Sequence, residues 1–101
     1  MKYLILFIIL FSSPLYAVDL ISSRFTCTHN DNDLVREVKI VHKDQGCEVI
    51  YTKAVGTTSE NSKTLWKAKN STEYCDEKGN SFVEDKLKNK FGWNCIDQIN
   101  N

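Results

Sequence analysis

The chain has 101 residues, 42% of them hydrophobic and 26% charged, with thirteen basic side chains against thirteen acidic. That balance excludes the strongly basic character of a general nucleic-acid binder. The length bounds the fold to one small domain.

Met1-Lys2 supply a positive end, Tyr3 to Phe11 is an unbroken apolar run, and Ser12 to Ala17 offers a small residue for cleavage. This is the pattern of a secretory signal peptide, with an apolar core too short to span a bilayer. Cleavage is expected after Ala17, leaving residues 18–101 as a single domain that is secreted or periplasmic and has no transmembrane segment. Loss of Lys2 leaves twelve basic against thirteen acidic residues, a net of −1. A domain this short buries a limited core and needs covalent help. Cys27, Cys47, Cys75 and Cys95 supply it as two disulfides, each worth about 2–4 kcal/mol. A zinc site wants closely spaced CxxC pairs, and the sequence has none.

Val18 to Ser23 is a lead of alternating character, and Arg24 to Cys27 reads as a first strand. The turn formers from Thr28 to Asp33 read as a loop. Leu34 to Lys43 is the clearest strand, with Val35, Val38, Ile40 and Val41 giving both faces apolar weight. Asp44-Gln45-Gly46 is a tight connection, and Cys47 to Lys53 is the next strand. After a polar stretch from Gly56 to Ser62, Lys63 to Lys69 forms a fourth strand around Leu65-Trp66.

Asn70-Ser71-Thr72-Glu73 then opens a helix, with a capping oxygen followed by a glutamate. Tyr74, Cys75, Gly79, Phe82, Val83, Leu87 and Phe91 supply its apolar stripe, and Gly92 stops it. A short return through Trp93 and Cys95 precedes a polar tail, Asp97 to Asn101, expected to fray. The fold class is α+β: an antiparallel meander of about four strands with one helix across a face.

Spacing alone leaves three disulfide pairings open. In a meander, Cys47 at the start of the third strand and Cys75 just past the fourth are neighbours. The helix then runs to the opposite edge, where Cys27 and Cys95 meet. Cys47–Cys75 and Cys27–Cys95 are therefore expected. Cys47 must point at the helix, taking Val49 and Tyr51 with it, and Trp66 and Ala68 join them. Gly79 is expected to admit a bulky ring such as Trp66. The other face is expected to carry Val41, Ile50 and Leu65 among Lys39, Lys43, Lys67 and Lys69.

No nucleophile motif or phosphate loop is present. Oxidised cysteines cannot serve as nucleophiles. His29 falls in a loop and His42 near a strand end. The run His29 to Asp33 offers metal-type ligands but lacks the glycine and terminal glutamate of a calcium-binding EF-hand loop. No cofactor, metal or catalytic residue is therefore assigned.

Cys47-Glu48-Val49, Leu65-Trp66-Lys67-Ala68, Tyr74-Cys75, Phe82-Val83 through Leu87, and Gly92-Trp93-Asn94-Cys95 together resemble a group of small exported proteobacterial proteins. That resemblance implies a signal peptide, four cysteines and a bacterial source, and it brings no catalytic residue. The chain departs from the group at Gly79, where alanine is expected. The function expected is a small secreted or periplasmic binding module acting on a partner protein, as an enzyme inhibitor or host-interaction factor. The alternative is an effector that binds anionic lipids such as phosphoinositides through Lys39, Lys43, Lys67 and Lys69.

Overall fold

Two clusters of turn formers cut the first half of the chain into strands, and the computed structural model, which describes residues 19–100, shows what they build. β1 (Leu20–His29), β2 (Asn32–His42), β3 (Cys47–Lys53) and β4 (Asn61–Ala68) follow one another antiparallel. A helix, α1 (Glu73–Ser81), continues as a π-helical segment over Phe82–Lys90. β5 (Asn94–Asp97) then returns beside β1, giving the sheet order β4-β3-β2-β1-β5. The fold is α+β, with disulfides Cys27–Cys95 and Cys47–Cys75. The expected signal peptide, Met1–Ala17, lies outside the described residues.

β1 is longer than its sequence signature because Leu20–Ser23 of the lead pair with the end of β2, Leu20 opposite His42. The expected loop at Thr28–Asp33 contracts to a hairpin connection of Asn30-Asp31. Register explains the disulfide pairing. Cys27 lies opposite Arg36 and Cys47 opposite His42, so the two cysteines are separated along the sheet by about 20 Å at ~3.3 Å per residue. No disulfide spans that distance. Cys95 instead lies directly opposite Cys27 on the neighbouring strand.

One sheet face takes the helix. Phe25 and Cys27 from β1, Val38 and Ile40 from β2, and Cys47, Val49 and Tyr51 from β3 are buried there, with Trp66 and Ala68 packed against them from β4. The helix meets them with Cys75, Gly79, Val83 and Leu87, all buried. These four recur at steps of four. At 3.6 residues per turn each such step overshoots a full turn by about 40°, so a straight α-helix would carry Leu87 off the sheet. Widening to i→i+5 closure over Phe82–Lys90 unwinds that drift and keeps Val83 and Leu87 facing the core.

Gly79 does admit a bulky neighbour, but the neighbour is Ile40 rather than Trp66: a Cβ there would stand 2.6 Å from Ile40 Cδ1. The helix start is also specific. Ser71 Oγ accepts the Tyr74 N–H at 3.1 Å and so caps the first turn. At the other end Gly92, with φ +74°, lets the Trp93 N–H reach back to the Leu87 carbonyl at 2.7 Å.

As far as Asn100 the tail expected to fray is instead tied down. Asp97 Oδ1 accepts the backbone N–H groups of Arg24, Ile99 and Asn100, while the Asn100 amide donates to the Ser22 carbonyl at 2.8 Å. Burial alone would push the Asp97 carboxyl up. Donation from the Asn100 side chain and from those backbone groups outweighs it and holds the carboxyl below its ordinary range.

Candidate functional site

β4 is an edge strand: it pairs with β3 on one side and has no neighbour on the other among the described residues. Its residues are mostly exposed, and between Trp66 and Thr64 the register with β3 slips by one residue. Leu65 is the extra residue of that bulge. It was expected on the open face beside Ile50; the bulge turns it toward the helix side, where it packs against the core.

Trp66 and Phe82 meet edge to face with ring centres 5.8 Å apart, and Phe82 meets Tyr51 at 5.0 Å. Beside this aromatic row a cleft of about 460 Å³ opens between β4 and the helix, lined by Leu65, Trp66, Phe82, Lys78, Lys86 and Asp85, with Ser81. Ser81 Oγ donates to Asp85 at 3.1 Å. The site therefore combines unpaired backbone donors and acceptors, an apolar pocket and a lysine-bearing rim.

The four lysines expected on the open face are not brought together as a set. Lys43, Lys67 and Lys69 line a cleft of about 540 Å³ at the β2–β3 hairpin end. Lys39 stands apart in mid-sheet, opposite Arg24 and Ile50. Lys43 bonds to Glu48 at 2.8 Å and lies 3.7 Å from Asp19; the hydrogen bond and charge of Glu48 raise its pKa. Arg24 on the same face sits 3.6 Å from Glu37. Glu37 and Glu48 also belong to this face, beyond the expected set. Their signal was strand parity: Glu37 shares it with Lys39 and Lys43, and Glu48 with Ile50.

Both histidines are engaged. The His42 Nε2–H donates to Asp76 Oδ1 at 2.8 Å, and Ser22 Oγ approaches the same oxygen at 3.4 Å. A hydrolytic triad needs the imidazole between hydroxyl and carboxylate. Here the carboxylate lies between the other two, an arrangement that staples β1, β2 and the helix start. His29 accepts the Asp31 N–H on Nδ1 at 3.0 Å, so its Nε2–H donates to the Phe91 carbonyl at 2.9 Å. Among the described residues no three histidine, cysteine, aspartate or glutamate side chains converge as a metal site.

No protein-family model, curated protein or solved structure matches this chain. Among the described residues no helix is long and apolar enough to cross a membrane.

Proposed function

We propose that this chain is an exported, disulfide-stapled binding module that takes an extended segment of a partner protein along the free edge of β4. The observation that carries this reading is the eight-residue edge, unpaired among the described residues, that runs beside the Leu65–Trp66–Phe82 cleft. Strand addition needs both features: an open edge for main-chain bonds, and a pocket for a side chain projecting from the added strand.

Charge supports one kind of partner over another. Lys63 and Lys67 stand on the edge strand itself, one on each sheet face, and Lys78 and Lys86 line the cleft with Asp85. Two copies of this edge would set lysine against lysine, which discourages self-pairing. An acidic segment carrying one aromatic or aliphatic side chain fits. Inhibition of an enzyme is a job such a module suits, the captured strand being a segment of that enzyme.

The test is to select binders from a random peptide display library and map the selected peptide by amide hydrogen exchange. The expected peptides combine acidic and aromatic residues, protect Asn61–Ala68, and lose about tenfold or more in affinity to the Lys78→Glu/Lys86→Glu variant. Protection confined to any other strand would overturn the reading.

The grouping of Lys43, Lys67 and Lys69 favours anionic lipid as a second reading. It is the weaker of the two because Lys43 is already committed to Glu48. Sedimentation with phosphoinositide-containing vesicles tests it: binding that survives replacement of Lys39, Lys43, Lys67 and Lys69 rules it out.

A further inference from the structure

We propose that the cleft at the β1–β2 hairpin tip is a separate binding site for a single carboxylate carried on an apolar body, with Arg36 as the recognising group. The site is independent of the β4 reading, and no residue lines both clefts.

Arg36 is held rather than merely present. Its guanidinium carbon lies 4.4 Å from the centre of the Trp93 ring, and Nη1 donates to Tyr51 Oη at 2.6 Å. Trp93 is only 6% exposed and sits two residues from Cys95, which the disulfide fixes to β1. A stacked, hydrogen-bonded guanidinium has already lost most of its rotamer freedom, so binding a ligand costs little further ordering.

The same group has no ion-pair partner among the described residues. Arg24 has Glu37, Lys43 has Glu48, and Lys88 has Glu84, whereas no carboxylate lies within ion-pair distance of Arg36 among the described residues. A guanidinium has five N–H donors, and Tyr51 takes only one. The remaining fork suits a planar carboxylate, which it binds through two parallel bonds.

The cleft around it holds about 390 Å³ and is lined by His29, Asp31, Asn32, Arg36, Phe91 and Trp93. That volume falls within the range of small-ligand sites. Phe91, 53% exposed at the end of the helix, and Trp93 supply the apolar walls. His29 is a fixed wall, since each of its ring nitrogens already has a backbone partner. Asp31 adds one negative charge to the same cleft, which penalises dianions such as phosphate more than a monoanionic carboxylate.

The experiment is an NMR titration of the intact domain with N-acetylphenylalanine, its uncharged amide, and inorganic phosphate. The acid is expected to shift the Trp93 indole N–H and the His29–Asn32 amides, and to bind about tenfold or more tighter than the amide or phosphate. Arg36→Lys keeps the charge but loses the fork, and is expected to weaken the acid about tenfold while leaving the remaining spectrum native. Asp31→Asn leaves the Arg36–Tyr51 bond untouched and is expected to tighten the acid about twofold or more. Absence of saturable shifts at the tip, equal binding of acid and amide, or indifference to both substitutions would overturn the proposal.

Discussion

Gly79 shows how a single missing methyl group sets the distance between helix and sheet. Ile40, the residue it admits, is fully buried and has nowhere to retreat. Gly79→Ala gains about 1 kcal/mol of helix propensity but overpacks the core by about 1–3 kcal/mol. A net loss of about 1 kcal/mol is expected in urea unfolding, and Ile40→Val in the same chain should recover part of it. Gly46→Ala is expected to be worse, because its Cβ would stand 2.1 Å from the Ala68 carbonyl oxygen, a backbone atom that cannot rotate away. Asp97 carries a pH dependence. Its folded pKa lies below the ordinary 3.8, so its contribution is complete above that value and is lost as pH falls through the lower folded one. The Ile99 and Asn100 amide resonances should titrate in that acid range, and Asp97→Ala should cost about 1–2 kcal/mol and abolish the titration. The close approach at Gly79 was legible in the sequence, but its partner was not, since register decides whether Ile40 or Trp66 lies beneath it.

The helix shows what a hydrophobic pattern specifies and what it leaves open. Its start near Ser71, its stop at Gly92 and the buried Cys75, Gly79, Val83 and Leu87 were readable, whereas Tyr74 and Phe91, expected on the same stripe, are exposed. The change from α to π pairing was not, although steps of four at Cys75, Gly79, Val83 and Leu87 were in plain view. That spacing belongs to neither an ideal α-helix nor a strand, and only docking on a flat sheet makes the drift matter. Leu87→Ala removes a fully enclosed side chain from the π segment and is expected to cost about 2–5 kcal/mol. Amide exchange after Phe82 should accelerate more than exchange in α1, because the π segment depends on this packing to stay wide. β5 was read only as a return segment. Four residues carry too little alternation to announce a strand, and Asn94–Asp97 becomes one through the register that Cys27 opposite Cys95 imposes.

For the molecule as a whole, the two disulfides enclose 68 and 28 residues and constrain the unfolded chain by about 4 and about 3.5 kcal/mol respectively. Small domains have a total stability of the same order. Serine replacement of Cys27 and Cys95 together is expected to lower the unfolding midpoint more than replacement of Cys47 and Cys75. Replacing all four should leave the chain unfolded by circular dichroism at room temperature. The meander and both pairings followed from the sequence because strand lengths and cysteine positions constrain each other. The binding surfaces followed less well. The lysines of the open face were counted without Glu37 and Glu48, the acidic residues that share it. The β4 cleft needs Phe82 brought beside Trp66, and the tip cleft needs Arg36 brought over Trp93. Both are meetings of residues distant in the chain, which composition and local pattern do not encode.

The position of β1 between β2 and β5 also bears on the order in which the protein is made. A chain that emerges amino end first presents β1 through α1 before Asn94–Asp97 appear. Cys27 then waits for a partner while Cys47 and Cys75 are already available to each other. Closure of Cys47–Cys75 ahead of Cys27–Cys95 would remove both of the wrong partners open to Cys27. Were the shorter bridge to close first, it would guard the longer one.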